Sequence, residues 1–252
     1  MSESILRVRN LTKRFGGLTA VSGLDFEVRE GEILGMIGPN GAGKSTTFNL
    51  IAGAYAADAG EARFAGEPIL GLAPHQIAAR GILRTFQHNR PFGGMPVIDN
   101  VMVGAHTRFR LNPFSRNAAR EEAERRRRAG ELIAFVGLAE LGDADVTTLS
   151  FGQGRLLEIA RALAGEPKLI LFDEPAAGLT PGECARLGEI IRGIAARGIA
   201  VLLIEHDMHF LLPLAHRVAV LDFGVKIADG LPDEIRANPA VMAAYLGSHA
   251  AA

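Results

Sequence analysis

Apolar residues recur along the chain with spacings that predict both strands and helices. In residues 24–28 apolar and polar side chains alternate, which indicates a strand with one buried face, and residues 5–9 are a second candidate. The runs 169–172 and 199–204 are continuously apolar, as is typical of strands buried on both faces. Strands interleaved with helices predict an α/β fold. Further strands are predicted at 32–37, 61–65, 81–87, 217–221 and 225–229, and helices at 46–53, 74–79, 97–105, 118–136, 150–164, 232–237 and 239–246.

The composition becomes helical between residues 88 and 148, and this segment includes a strongly charged predicted helix at 118–136. Three glutamates of that helix each precede an arginine by four residues, which is the favourable orientation for an ion pair on a helix. The arginines could alternatively form a nucleic-acid patch, but the paired glutamates favour a solvated helix face. The predicted pairs are Glu121 with Arg125, Glu122 with Arg126, and Glu124 with Arg128.

Residues 38–45 fit the pattern G-x-x-x-x-G-K-[ST] of a phosphate-binding loop, between a predicted strand and a predicted helix. The glycines let successive backbone N–H groups point at phosphate oxygens, and the helix N-terminus adds positive potential. In this pattern Lys44 reaches the β- and γ-phosphates, and the hydroxyl of Ser45 binds Mg²⁺. A chance glycine turn before a core helix is disfavoured because the strand and the helix are both present. We therefore expect a nucleoside triphosphate to bind at Gly38, Pro39, Asn40, Gly41, Ala42, Gly43, Lys44, Ser45 and Thr46.

Two acidic residues follow the apolar run 169–172, at the end of a strand where α/β proteins bind their ligands. Asp173 is suited to support Mg²⁺ through a water molecule, and Glu174 is suited to polarise an attacking water as a general base. The next apolar run is also followed by polar residues, of which His206 is placed to contact a γ-phosphate. His206 and His209 form an H-x-x-H pattern, but zinc is disfavoured because no cysteine or third histidine is nearby.

Three other segments carry weaker signals. Phe15 lies in a predicted turn at 13–17, and it could either stack on a purine base or anchor the core. Gln87 ends a predicted strand, where it could meet a metal ion or a water, but by itself it is better explained as an ordinary polar loop residue. Residues 149–155 open a helix with Ser150 as its predicted N-cap, and the start of this helix could form a second anion site.

The composition argues against a nucleic-acid-binding protein, a secreted protein and an integral membrane protein. The chain has 252 residues and a formal net charge of -1, so no overall field attracts nucleic acid, which is not an expected partner. Few aromatic residues and no tryptophan argue against a stacking platform for single strands. The single cysteine, Cys184, suits a reducing compartment. Because we find no signal-peptide pattern and no apolar run near the ~18 residues of a membrane span, we expect a soluble cytoplasmic protein.

The ordered set of these motifs resembles the ATPase subunits of ABC transporters over nearly the whole chain. The resemblance implies an α/β P-loop NTPase core with a mixed sheet and an inserted helical subdomain. It places the nucleotide-binding core at 1–88 and 157–252, and the helical subdomain at 89–156. It also implies ATP and Mg²⁺ as cofactors, and ATP hydrolysis coupled to transmembrane transport as the activity.

The resemblance carries the roles of the family's motifs over to matching residues. Phe15 corresponds to the aromatic residue that stacks on adenine. Gln87 corresponds to the glutamine that senses Mg²⁺ and the membrane partner. Asp173 and Glu174 correspond to the acid pair, and His206 corresponds to the switch histidine.

Residues 149–153 resemble the signature segment of the family, which faces the ATP bound by a second subunit. Two positions depart from the usual pattern. Phe151 stands where many members have glycine, although aromatic residues occur there in this branch, and Thr180 stands where aspartate is usual. Neither departure removes a phosphate ligand or the general base, so the resemblance still implies an active ATPase. The implied signature contacts to ATP are Ser150, Phe151, Gly152 and Gln153.

Finer features resemble the branch that serves importers of branched-chain and other hydrophobic amino acids, namely 84–88, the insertion rich in arginine and glutamate, 173–179, 204–208 and 238–247. Two alternatives stay open: the ATPase of a lipopolysaccharide or lipid exporter, and a soluble ABC ATPase that acts on ribosomes or DNA. The importer resemblance implies a head-to-tail dimer with the same or a sister ATPase subunit, docked on integral-membrane permease subunits. It further implies an extracytoplasmic substrate-binding protein as an indirect partner, and a location on the inner face of the cell membrane.

Overall fold

The computed structural model describes residues 3–85, 91–105 and 118–249. Two β-sheets and a set of helices make up this part of the chain. The strands are β1 (Ser4–Phe15), β2 (Leu18–Arg29), β3 (Ile33–Ile37), β4 (Ala59–Phe64), β5 (Glu67–Pro68), β6 (Ile82–Arg84), β7 (Leu169–Asp173), β8 (Ala200–Ile204), β9 (Arg217–Asp222) and β10 (Val225–Gly230). The helices are α1 (Lys44–Ile51), α2 (Pro74–Arg80), α3 (Val97–Gly104), α4 (Ala118–Phe135), α5 (Phe151–Ala164), α6 (Pro181–Ala196), α7 (Met208–Leu211), α8 (Pro232–Ala237) and α9 (Pro239–His249), with short 3-10 helices at Ala139–Leu141 and Val146–Thr148.

The larger sheet has the strand order β10-β9-β3-β8-β7-β6 and is mixed, as predicted. β3 runs parallel to β8 and β9, and β7 runs parallel to β8 and β6, whereas β10 is antiparallel to β9. Every residue of β3, β7 and β8 is buried, which explains why these strands are apolar apart from Asp173 at the end of β7. The predicted α/β class is confirmed.

The two faces of this sheet contribute to two different cores. On one face, Ile37 and Phe172 pack with apolar residues of α3, α5 and α6. On the other face, Met36 and Leu171 pack with α1 and with the smaller sheet, whose order is β2-β1-β4-β5. Because successive side chains of a strand point to opposite faces, each central strand supplies both cores. The carboxyl ends of β3 and β7 are therefore held between the helices and the second sheet.

The hairpin of β1 and β2 is longer than the sequence pattern predicts. The two strands remain paired as far as Phe15 and Leu18, so the turn predicted at 13–17 is wrong in extent. Only Gly16 and Gly17 connect the strands, and Gly16 has φ 58°, which glycine adopts without steric cost. The exposed tip of the hairpin carries few apolar residues, so its strand character leaves little trace in the hydrophobic pattern.

Helices α3, α4 and α5 pack against one another and against one face of the larger sheet. α5 continues past the subdomain boundary predicted at residue 156, and its residues Leu157 and Leu163 lie in the core shared with the sheet. The division into a nucleotide-binding core and a helical subdomain stays a prediction. Within the described residues, none of the helices combines the length and the apolar character that a membrane crossing requires.

The charged helix α4 carries several ion pairs along its exposed face. The predicted pair of Arg128 with Glu124 is confirmed, with 3.0 Å between Nε and Oε1. The pair predicted between Glu122 and Arg126 is wrong, because Arg126 reaches Asp99 at 3.1 Å and Asp143 at 3.2 Å. Arg126 therefore ties α4 to neighbouring segments of the helical region.

Candidate nucleotide-binding site

Residues 38–43 form a tight loop between β3 and α1, and two of its glycines are required by close packing. Gly38 has φ 153° and Gly43 has φ 96°, and neither conformation suits a residue with a side chain. A Cβ at Gly38 would collide with the backbone oxygen of Leu221, and a Cβ at Gly43 would collide with that of Ala20. The loop therefore packs closely against the backbone at Leu221 and Ala20.

The ammonium group of Lys44 is held inside this loop. Its Nζ donates to the carbonyl oxygens of Gly38 at 2.7 Å and Pro39 at 2.9 Å. Burial lowers the pKa of Lys44, and the nearby charges of Glu174 and Asp173 act in the opposite direction. No side chain caps α1, so the backbone N–H groups of its first turn are free to bind an anion at the loop.

Two later parts of the chain support the loop. Gly224, in the turn between β9 and β10, donates its N–H to the oxygen of Ala42 at 3.1 Å and accepts the N–H of Ser22 at 2.8 Å. The hydroxyl of Tyr245, on α9, lies against the backbone of Gly38. Burial raises the pKa of Tyr245 to about 12, and the contact with Gly38 acts in the opposite direction. The C-terminal helix thus contacts the first residue of the phosphate-loop motif.

The two predicted acids lie at the end of β7, beside the end of β8. Asp173 is buried and is paired in the sheet with Ile204. Glu174 has φ 47°, an uncommon conformation for a residue with a side chain, and its N–H donates to the oxygen of Ile204 at 3.0 Å. Its Oε1 lies 3.8 Å from Nδ1 of His206. The predicted base and the predicted histidine therefore face each other across neighbouring strands.

Glu205 is a site residue that the sequence analysis did not single out. It is buried beside His206, with 3.9 Å between its Oε2 and the histidine Nδ1. Its Oε1 accepts the N–H of Ala176 at 2.9 Å, which holds the turn that follows Glu174. Burial raises the pKa of the Glu205 carboxyl. A charged residue directly after a buried strand was the available signal, but its direction into the protein could not be inferred from spacing.

Arg84 and Asn49 also belong to the site, although the sequence predicted no binding or catalytic role for either residue. Arg84 ends β6, and its Nη2 lies 2.6 Å from Oδ2 of Asp173. Its Nη1 donates to Oδ1 of Asn49, on α1, also at 2.6 Å. These three residues are far apart in sequence, so only the folded chain reveals that they form one network.

The residues predicted to hold Mg²⁺ offer suitable ligands. Ser45, exposed at the start of α1, supplies a hydroxyl oxygen, and Asp173 supplies a carboxylate oxygen next to the one that Arg84 contacts. Hard divalent cations prefer such oxygen ligands, so this part of the site fits the ion. The third predicted contact, Gln87, lies outside the described residues.

The segment 150–153 begins α5 with a complete capping box. The Ser150 hydroxyl accepts the N–H of Gln153 at 3.2 Å, and Oε1 of Gln153 accepts the N–H of Ser150 at 2.8 Å, which confirms the predicted N-cap. Phe151 is about half exposed, and its ring contacts the position where a Cβ on Gly178 would stand. A Cβ on Gly152 would collide with the side chain of Glu183 at the start of α6.

Phe15 lies at the tip of the first hairpin, where its ring is partly exposed. The ring packs edge-on against Tyr55 with 5.4 Å between centroids, and Nζ of Lys13 lies 5.3 Å from its centroid. An aromatic ring that is fixed at its edge and partly open to solvent can stack on a base. Tyr55 was not identified from the sequence.

Two family models match the chain. The model of the ABC transporter family matches residues 21–177, and a model described as a branched-chain amino acid ATP-binding cassette transporter matches residues 225–251. The chain belongs to the ABC transporter ATP-binding family. The first match includes the phosphate loop and the acid pair, and the second includes α9 with Tyr245.

Individual ABC proteins are similar over almost the full length. The chain is 43% identical to the high-affinity branched-chain amino acid transport ATP-binding protein BraF of Pseudomonas aeruginosa, over 98% of this chain and 99% of the relative. It is 40% identical to the corresponding LivG protein of Escherichia coli, with the same coverage. A crystal structure of an ABC transporter ATP-binding cassette in its ADP conformation superposes with a TM-score of 0.86 at 33% identity, covering 98% of this chain and 100% of that chain.

Membership of the ABC family establishes ATP as the nucleotide and ATP hydrolysis that powers transport as the activity. The structure brings together the loop 38–46, the acid pair and His206, since Lys44 interacts with both acids and Glu174 faces the histidine. Phe15 and the signature segment lie on other elements, the first hairpin and the start of α5. The roles of the individual residues remain predictions.

Proposed function

We propose that this protein is the ATP-hydrolysing subunit of a membrane importer for branched-chain or other hydrophobic amino acids. The observation that carries the substrate class is the match of residues 225–251 to the branched-chain amino acid cassette family, together with the similarity to BraF and LivG. We place the protein on the inner face of the cell membrane, because importer subunits of this family bind there to permeases.

In the proposed reaction the phosphate loop binds the triphosphate of ATP. Lys44, which is already directed into the loop, contacts the β- and γ-phosphates, and the N–H groups of α1 stabilise their charge. Ser45, Asp173 and Gln87 would hold Mg²⁺, which supplies charge neutralisation on the phosphate oxygens.

Glu174 is the proposed general base. Two carboxylates lie near Nδ1 of His206, and that of Glu174 is the partly exposed one, so it can accept a proton from a water molecule. The buried Glu205 lies near the same ring nitrogen, with 3.9 Å between its Oε2 and Nδ1 of His206, and its Oε1 holds the turn after Glu174. We propose that His206 contacts the γ-phosphate while these two carboxylates orient its ring.

The site is proposed to be complete only in a head-to-tail dimer. Members of the ABC family work as dimers with membrane permease subunits. The first turn of α5 presents backbone N–H groups and the residues Ser150, Phe151, Gly152 and Gln153, which we propose contact the ATP bound by the other subunit. Phe15 would stack on the adenine of the ATP bound by its own subunit. The second subunit is either another copy of this chain or a sister ATPase.

The permease subunits are the proposed direct partners, and an extracytoplasmic substrate-binding protein is the proposed indirect one. Gln87 would communicate between the permeases and the nucleotide. We therefore expect Gln87→Ala to uncouple ATP hydrolysis from transport more than it lowers ATP affinity. A parallel fall in ATP affinity would contradict this role.

Mass spectrometry of proteins that co-purify with the chain from detergent-solubilised membranes tests the proposal. We expect two multi-span permeases and a sister ATPase, after which substrate uptake can be measured with radiolabelled leucine in reconstituted vesicles. Lipopolysaccharide-export components among the co-purified proteins would overturn the importer assignment. Ribosomal proteins in place of membrane proteins would indicate the soluble class instead.

A further inference from the structure

We infer that Arg84 is a positioning residue for ATP hydrolysis: it fixes the carboxylate of Asp173 and joins it to the helix that begins at the phosphate loop. The inference rests on the proposed function, because it takes Asp173 as the carboxylate that supports Mg²⁺. Arg84 contacts Asn49 and Asp173. No sequence motif predicts either contact, because both partners are distant from Arg84 along the chain.

The contact with Asp173 is a largely buried, charge-assisted hydrogen bond. Nη2 of Arg84 lies 2.6 Å from Oδ2, and the Asp173 side chain is only 5% exposed. β6 and β7 are parallel neighbours in which Arg84 is paired with Leu171, so the backbone itself places the guanidinium beside the acid. A buried carboxylate with a charged partner is held in one orientation far more firmly than an exposed one.

The second contact reaches across to α1. Nη1 of Arg84 donates to Oδ1 of Asn49, which lies five residues after Lys44 on the same helix. The backbone oxygen of Asn49 in turn accepts the N–H groups of Ala54 at 2.8 Å and Tyr55 at 3.1 Å. Asn49 is therefore fixed at the end of α1. A shift of this helix would change the position of Oδ1 of Asn49 and so disturb its hydrogen bond with Arg84.

The planar fork of arginine is what makes this arrangement possible. Two N–H groups of one guanidinium bind two acceptors on different elements at the same time, whereas the ammonium of a lysine has no fixed geometry of this kind. The N–H of Thr85 also donates to the oxygen of Leu171 at 3.1 Å, so the backbone after Arg84 remains attached to β7. Arg84 thus connects α1, through Asn49, with the end of β7, through Asp173.

The consequence concerns the two oxygens of the Asp173 carboxylate. Because Oδ2 is engaged by Arg84, Oδ1 is left as the oxygen that can face the hydration shell of a cation. Residues that orient a metal-supporting group in this way typically change metal affinity or activity by about 10- to 100-fold when they are replaced. Arg84 would therefore act on the dependence of the protein on Mg²⁺, and not on its contacts with ATP.

The test compares Arg84→Lys with the wild-type full chain. Binding of a fluorescent ATP analogue is measured with EDTA and over a Mg²⁺ titration, ATP hydrolysis is measured over the same titration, and thermal unfolding is recorded for each variant. For Arg84→Lys we expect unchanged nucleotide affinity in EDTA, a Mg²⁺ midpoint for nucleotide binding raised by about 10-fold or more, and a kcat lower by about 10- to 100-fold. Asn49→Ala, which removes one arm of the fork, should show a smaller change in the same direction.

Arg80→Lys is the matched control, since Arg80 is an exposed arginine at the end of α2, and it should behave as wild type in all assays. A wild-type Mg²⁺ midpoint in Arg84→Lys would overturn the inference, and so would equal losses of nucleotide affinity with and without Mg²⁺. If Arg84→Lys is too unstable to assay, the Mg²⁺ titration of Asn49→Ala is the test, because this variant releases one N–H of the guanidinium and leaves Arg84 and Asp173 in place. A raised Mg²⁺ midpoint with unchanged nucleotide affinity in EDTA would support the role, and a wild-type midpoint in Asn49→Ala would contradict it.

The inference and the proposed function fail in different ways. Loss of Mg²⁺-dependent hydrolysis in Asp173→Asn, together with a wild-type Mg²⁺ midpoint in Arg84→Lys, refutes the inference alone. A wild-type Mg²⁺ response in Asp173→Asn refutes the metal-supporting role of Asp173, and the inference falls with it.

Discussion

Nδ1 of His206 lies 3.8 Å from Oε1 of Glu174, although the two residues follow different strands. β7 and β8 are neighbours whose ends are aligned by the pairing of Asp173 with Ile204, so the residues after each strand meet. The positive φ of Glu174, 47°, turns its side chain out of the line of the strand. Strained residues of this kind concentrate at functional sites.

This relationship predicts that Glu174→Gln separates ATP binding from turnover. The amide keeps the size of the side chain but cannot accept a proton, so we expect kcat to fall by about 10²- to 10⁴-fold while ATP affinity is retained. Nucleotide binding measured by fluorescence, alongside phosphate release, checks the result. Lys44→Ala is the comparison, because it should weaken binding itself. Wild-type hydrolysis by Glu174→Gln would rule out this residue as the base.

Two substitutions of Ser150 separate the stability of α5 from its role between subunits. Ser150→Ala removes the N-cap and should lower the free energy of unfolding by about 1 kcal/mol. Ser150→Arg removes the same cap and also adds bulk and charge at the proposed dimer face, so we expect it to block ATP-dependent dimerisation. Size-exclusion chromatography of both variants in the Glu174→Gln background measures this difference. An ATP-induced dimer of the arginine variant would contradict the head-to-tail arrangement.

The phosphate loop should not tolerate Gly38→Ala. The added methyl would be forced against the backbone oxygen of Leu221, which cannot rotate away, so we expect a loss of about 1–3 kcal/mol in stability and a loss of ATP affinity. Gly130→Ala is the control, because Gly130 lies within α4 with open space around it. There the substitution should raise stability by up to about 1 kcal/mol. Calorimetric unfolding of both variants measures the contrast.

The exposed ion pairs of α4 predict a pH dependence. Hydrogen bonds from Arg127 and Arg128 lower the pKa of Glu124 from 4.5 to about 2. A lowered pKa in the folded state means that the contribution of Glu124 is complete above pH 4.5 and is lost as the pH falls toward 2. The stability difference between wild type and Glu124→Gln should therefore shrink between pH 5 and pH 2.5, and also with added salt.

Urea unfolding of both proteins at several pH values tests this expectation. Glu140→Gln provides the comparison, since the described residues contain no ion pair of Glu140. A difference between wild type and Glu124→Gln that stays constant with pH would show that the ion pairs make no contribution.

Much of the site could be predicted because its parts are local in sequence. The loop at 38–46 combines a motif, a strand and a helix within one short segment, and Ser150 with Gln153 forms a capping box across three residues. Asp173 and Glu174 follow a strand whose apolar run is continuous. Each of these signals depends on near neighbours along the chain.

The parts that could not be predicted depend on residues distant in sequence. The bond of Arg84 to Asp173 needs β6 and β7 to be neighbours, and the contact of Tyr245 with Gly38 needs α9 to return to the first strand of the larger sheet. No spacing within a single segment encodes either one. The helix α6 was not predicted, although Thr180, Pro181 and Glu183 form a recognisable helix start.

Thr180 itself now has a physical explanation. Its hydroxyl and backbone N–H are bonded to the Glu183 carboxylate at 2.7 Å and 2.8 Å, and its hydroxyl accepts the N–H of Glu183. Threonine is thus an effective N-cap for α6, at a position where aspartate would also cap the helix. The departure from the usual residue preserves the helix start.

The position of β3 in the middle of the larger sheet has a consequence for the newborn chain. β3 ends at Ile37, whereas its neighbour β8 begins at Ala200, about 160 residues later. At a synthesis rate of about 5–20 residues per second, the strand leaves the ribosome roughly 8 to 30 s before its first partner in the sheet exists. During that interval an apolar strand is exposed with both edges unpaired, which favours aggregation. The yield of this protein in cells should therefore fall when the chaperones that cover nascent chains are depleted.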